Sequence, residues 1–178
     1  SLRKRGQSAF EILNGVKVHR VQHRKINERN KWAYFFRIVL FLLRSAVYIS
    51  KSHFRKPYDL VHVHNVPDFE VFSAIVPKIT GSKIILDIHD IVPELFCSKF
   101  DKPQRSLWFS ILCTLEKAST SFADHVIAAN DIWRNRLIQR SVGRYKCSAL
   151  INFPDLTVFN RSLSPHPTNR EFILYPGT

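Results

Sequence analysis

The chain has no methionine, and only three cysteines stand among its 178 residues. Acidic side chains are scarce as well, with 14 Asp plus Glu against 27 Lys plus Arg. Each shortage narrows the reading. Cys97, Cys113 and Cys147 are odd in number and show no CxxC spacing, which argues against a disulfide framework or a zinc knuckle and for reduced thiols in a cytosolic setting. The opening "SLRKRGQSAF" is basic but has no apolar h-region, so it does not read as a signal peptide. With no initiator methionine and an abrupt end at "LYPGT", the chain is expected to be a piece of something longer. The shortage of acids leaves a net charge of +13 and a pI near 10.1, a surface suited to nucleic acid, anionic lipid or a phosphorylated substrate. The sign of the charge does not choose among them.

What is present is an alternation of apolar strands and helices. "GVKVHRVQ" (15–22) sets Val16, Val18 and Val21 among polar residues and reads as an edge strand, and "HRKINERNK" (23–31) as a solvated basic connection. "WAYFFRIVLFLLRSAVYI" (32–49) is the most apolar segment. Arg37 and Arg44 interrupt it seven residues apart, and Asn30 and Lys51 extend that spacing into one narrow polar stripe along a helix. Three readings fit: a core helix, a helix that also dips into a membrane surface, and a transmembrane span.

Strand and helix then alternate. "YDLVHVHN" (58–65) reads as a strand and "DFEVFSAIVPKITG" (68–81) as a helix closed by Gly81; "KIILDIHD" (83–90) is a strand, and Pro93 begins a short helix. "SLWFSILCTLEKASTSFAD" (106–124) reads as a long buried helix, "HVIAAN" (125–130) as a strand, "DIWRNRLIQRSV" (131–142) as an amphipathic helix and "CSALINF" (147–153) as a strand. This pattern predicts an α/β fold, a Rossmann-like parallel sheet with helices on both faces and right-handed crossovers. Residues 1–153 form that domain; "PDLTVFNRSLSPHPTNR" (154–170), with three prolines, reads as an interdomain linker, and 171–178 opens a second domain.

The predicted strands end in polar residues: His64 and Asn65, His89 and Asp90, Asn130, and Asn152. In an open parallel sheet the ligand crevice lies at that carboxyl edge. Local roles compete with this. Asp90 could cap the helix that begins at Pro93, and Asn130 or Asp131 the next one. Asp87 shares a strand face with His89 and either orients its imidazole or forms a structural pair with it. His62 and His64 share a face with a spacing that suits a metal, but no third ligand motif lies nearby, so no metal is expected.

The stretch "YDLVHVHNVPDFEVFSAIVPKITGSKIILDIHDIVPELF", with "FADHVIAAND", "INFPDLTVF" and "FILYPGT", closely resembles the amino-terminal domain of family 4 retaining glycosyltransferases of the GT-B fold. The resemblance spans nearly all of residues 12–178. It implies two Rossmann-like domains across a cleft, the first holding the acceptor and the second the nucleotide-sugar. His89 matches a position beside the transferred sugar, and the catalytic role falls to it. His64, Asn65, Asp90 and Asn130 would border the acceptor cleft. Gly177, in "YPGT", would lie against the donor diphosphate, where a glycine lets the backbone come close. The family's first strand and glycine-rich loop are expected before Ser1 and its donor domain after Thr178, so the chain alone is expected to be inactive. "INFPD" departs from the family with Phe153 where glycine is common.

The implied reaction moves a sugar from a nucleotide-sugar to a hydroxyl of a polysaccharide, glycolipid or lipid-linked glycan, with retained configuration and no cofactor. Arg37, Arg44 and Lys51 would face an anionic membrane, giving a cytoplasmic protein held peripherally on the inner leaflet. Two rivals remain, a membrane-associated α/β scaffold without activity and a nucleic-acid-binding module. The basic residues are spread along the chain and no RRM, KH or helix-turn-helix signature appears, so nucleic acid is not expected as a partner.

Overall fold

The computed structural model describes residues 1–4, 6–23, 31–65, 67–101, 103–104 and 106–151. The expected linker, the start of the second domain, Asn30, Asn152, Phe153 and Gly177 lie outside these residues. At the centre is a four-stranded parallel sheet of β5 (Leu60–His64), β6 (Lys83–Ile88), β7 (His125–Ala128) and β8 (Cys147–Ala149), in that spatial order. The register runs from Leu60 opposite Lys83 to His64 opposite Asp87, and the next pair aligns Ile85 with His125. Helices flank the sheet, giving a mixed α/β architecture of the Rossmann-like kind that the alternation predicts.

Alternate residues of each strand point to opposite faces, and the two faces differ sharply. One carries Ile84, Leu86, Ile88, Val126, Ala128 and Cys147, which pack with Val71, Ala74, Ala123, Leu137 and Val142 into the core. On the other, Leu60, His62, His64, Lys83 and Ser148 are exposed, and Ile85, His125 and Ile127 are half-buried. Asp87 is the buried residue of that face.

Between β5 and β6 the chain forms a 3-10 segment, Asp68–Ala74, that passes into the short α2, Ile75–Ile79. The expected single helix is thus split in two. Gly81 closes it at φ +104°, a conformation that other residues rarely adopt. The helix α3 (Val92–Phe100) has Pro93 in its first turn, as the sequence predicts. The helix α4 (Leu107–Phe122) is less buried than expected. Glu116, Ser119 and Thr120 face inward, while Leu107 and Trp108 remain 75% and 60% exposed. Asn130 begins α5 (Asp131–Arg140), its side-chain oxygen accepting from the Trp133 N–H at 2.8 Å.

The amino-terminal residues form small sheets of their own. Leu2–Arg3 (β1) pairs in parallel with Gln22–His23 (β4), and Phe10–Leu13 (β2) pairs in antiparallel with Val16–His19 (β3). The valine-rich strand read from the sequence is therefore half of a hairpin rather than an edge of the main sheet.

The helix α1 (Lys31–Arg55) packs against the 3-10 segment and α2. His53 anchors its end: Nδ1 accepts from the Tyr58 N–H at 3.0 Å, which leaves the Nε2 proton for Thr80 Oγ1 at 2.7 Å. The helix is long and apolar enough to cross a membrane by length and composition, and none of its most apolar 18-residue window is buried. The core-helix reading therefore does not hold. Phe36, Leu40, Leu43 and Val47 fall on one side of α1 and are 66%, 42%, 57% and 55% exposed.

Candidate functional site

Period-two alternation places His62 and His64 on one face of β5, and Asp87 and His89 on one face at the end of β6. The parallel register sets His64 beside Asp87, so all four side chains meet on the exposed face of the sheet. Asp87 Oδ2 lies 3.0 Å from His64 Nδ1, 3.3 Å from His89 Nε2 and 3.4 Å from His62 Nε2. His64 Nδ1 and His89 Nε2 are 3.2 Å apart, and the rings of His62, His64 and His89 stack in succession. A buried carboxylate is costly unless it is compensated, and here three imidazoles surround it.

Asn65 joins the ends of the two strands. Its side-chain nitrogen donates to Asp68 Oδ1 at 2.8 Å and to the Asp90 carbonyl at 2.7 Å. Its side-chain oxygen accepts from the His89 N–H at 2.9 Å, and its own N–H donates to the Asp87 carbonyl at 2.9 Å. Every polar group of Asn65 that faces β6 is thus occupied in holding the backbone around His89.

A cleft of about 760 Å³ opens between α1 and β5, with Arg37, Phe41, Val61, His62, His64 and Glu70 in its wall. Two acids of the 3-10 segment stand near it. Burial pushes Asp68 up to about 6, against the pull of the Asn65 hydrogen bond; the Glu116 charge adds to the rise and Arg140 opposes it. Burial also pushes Glu70 up to about 7, and its Oε1 has no hydrogen-bond partner.

Of the residues singled out in the sequence, His64, His89 and Asn65 come together at the carboxyl edge of β5 and β6. Asp90 joins them through its backbone carbonyl; its side chain is exposed and makes no capping bond to α3. Asn130 caps α5 at the end of the neighbouring β7. On α1, Arg37 is half-buried and its carbonyl accepts from Gln22 Nε2 at 3.1 Å, while Arg44 reaches Gln22 Oε1 at 3.5 Å. Arg44 and Lys51 are exposed along a shallow depression shared with Leu43 and Val47.

Asp68 and Glu70 are candidate functional-site residues that no sequence motif above singles out. The available signal was their position: two acids within the apolar stretch "DFEVFSAIV", directly after a strand that ends in His64 and Asn65. No protein-family model and no curated protein matches the chain.

Proposed function

We propose that this chain is the acceptor-side part of a retaining glycosyltransferase, which moves a sugar from a nucleotide-sugar to a hydroxyl of a glycan or lipid-linked acceptor. The observation that supports the reading best is the placement of His89. It follows β6 at the carboxyl edge of a parallel sheet, with Asp87 at 3.3 Å and its backbone N–H held by Asn65. Ligands gather at that edge in open α/β sheets, and a fixed, half-exposed imidazole there can offer a hydrogen bond to a sugar as its bond to diphosphate breaks. The donor nucleotide would be held by the second domain that the resemblance implies.

In the full-length protein that contains this chain, His89→Ala is expected to lower glycosyl transfer about a hundredfold, the scale seen when one preorganised donor is removed. Its melting temperature should stay near that of the parent. Full transfer activity in a stable variant, or no transfer by the parent from any nucleotide-sugar, would overturn the reading.

An acceptor carried on lipid fits the surface of α1, where exposed Phe36, Leu40, Leu43 and Val47 run beside Arg44 and Lys51. We therefore place the proposed enzyme on an anionic leaflet. Basic residues near such a surface contribute roughly 1 kcal/mol each. Arg44→Glu plus Lys51→Glu is expected to weaken sedimentation with phosphatidylserine vesicles about tenfold or more. Equal binding by parent and variant would remove the membrane from the proposal.

A further inference from the structure

We propose that His62, His64 and Asp87 form a binding site for a divalent transition-metal ion. Their ligand atoms lie within 4.8 Å of one another. His89 Nε2 is 3.2 Å from His64 Nδ1 and 3.3 Å from Asp87 Oδ2.

Hydrogen bonding accounts poorly for this grouping. Three imidazole nitrogens converge on a single carboxylate oxygen, and two of them, at 3.3 Å and 3.4 Å, stand beyond the usual N–H···O range of about 2.7–3.2 Å. The oxygen has two lone pairs for three rings. A neutral imidazole carries one N–H, so His64 Nδ1 cannot donate to Asp87 and also accept from His89 in the same state.

A shared cation resolves the conflict. Zinc binds imidazole nitrogen and carboxylate oxygen at about 2.0–2.2 Å, and a tetrahedron of that size sets neighbouring ligand atoms about 3.3–3.5 Å apart. Asp87 Oδ2 stands 3.0 Å from His64 Nδ1 and 3.4 Å from His62 Nε2, close to that spacing, and all three ligand atoms lie within 4.8 Å of one another. Nitrogen and oxygen donors of this kind suit zinc, cobalt or nickel, and calcium and magnesium prefer all-oxygen sites.

The surroundings fit as well. Asn65 ties the end of β6 beside the cluster, accepting from the His89 N–H and donating to the Asp90 carbonyl. His62 and His64 line the cleft between α1 and β5, and the His64 side chain is 61% exposed, so an ion can enter from solvent. Both histidines come from one strand and the carboxylate from its neighbour, so the sheet itself supplies the preorganisation.

The test uses the full chain, stripped with a chelator and titrated with Zn²⁺ by calorimetry, with Co²⁺ absorption as a second readout of coordination. One ion should bind per chain. Removing an outer-shell partner of a metal site costs about 10–100-fold in affinity, so removing a direct ligand should cost at least as much. His62→Ala and His64→Ala are therefore each expected to weaken binding about a hundredfold or more. Both residues are exposed, and unchanged melting curves would verify that the variants fold. His125→Ala, on the same face but bonded to Ser148 at 2.8 Å, should bind as the parent does. Failure of the parent to bind one ion overturns the proposal, as does equal affinity in the parent and the His62 and His64 variants. Metal affinity read in this way is independent of whether the protein transfers sugar.

Discussion

Replacing Arg140 with methionine is expected to destabilise the fold by about 3–5 kcal/mol, the usual cost of leaving one member of a buried ion pair alone. Arg140 on α5 holds two carboxylates from two other helices. Its guanidinium meets Glu116 of α4 at 2.5 and 2.9 Å, and Glu94 of α3 at 2.7 and 3.1 Å. Glu116 is 1% exposed, so without Arg140 its charge has neither water nor that cation. For a chain of this size the loss corresponds to a fall of roughly 6–20 °C in melting temperature. Adding Glu116→Leu to Arg140→Met should recover most of it, because an apolar pair removes the stranded charge together with its partner. Urea unfolding of the parent, the single variant and the double variant at neutral pH provides the measurement. A single variant as stable as the parent would show that the network contributes nothing.

The network also has a signature in acid. Burial alone would push Glu94 up, but the hydrogen bonds and charge of Arg140 hold it below its ordinary value. A carboxylate depressed on folding stabilises above its unfolded value, near 4.3, and that contribution fades as pH falls through the lower folded value. Arg140→Met should therefore flatten the acid limb of the stability curve.

Glu70→Gln is expected to have the opposite effect, stabilising the fold by about 2–3 kcal/mol at pH 8 and hardly at all at pH 4. Glu70 titrates near 7 in the fold because burial opposes its charge, and its Oε1 has no hydrogen-bond partner. An acid raised on folding binds its proton in the native state after the unfolded chain has released it. The unfolded state then holds fewer protons, and stability falls with rising pH between about 4 and 7. Glutamine resembles the protonated acid and does not ionise, so the difference between variant and parent should grow through that window and level off above it. Asp68, raised to about 6 by burial, adds a second and earlier decline in both proteins. Paired urea titrations at pH 4 and pH 8 measure this. A gain of equal size at both values would place its cause in packing rather than charge.

Local features of the fold were legible in the sequence wherever the physics is local. The βα alternation, the parallel strands, Pro93 in a first turn and Gly81 at a helix end all follow from periodicity and backbone preference acting over a few residues. So does the cap at Asn130, since an N-cap reaches only three residues along the chain. The face shared by His62 and His64, and that shared by Asp87 and His89, likewise follow from strand pleating alone.

Tertiary structure decided what those faces meet. Nothing in "VHVH" or "DIHD" states that His64 stands opposite Asp87, because register depends on how two strands 23 residues apart pair across the sheet. One step of slip would turn Asp87 to the far face and dissolve the cluster. The same limit hid the Glu94, Arg140 and Glu116 network, whose members lie on three separate helices. It also hid the orientation of α1. The sequence showed an apolar helix with a basic stripe, but which side packs depends on the surface beneath it, and that surface is assembled from the 3-10 segment and α2. Periodicity is a property of one segment, whereas register and burial belong to pairs of segments and exist only once the chain has folded.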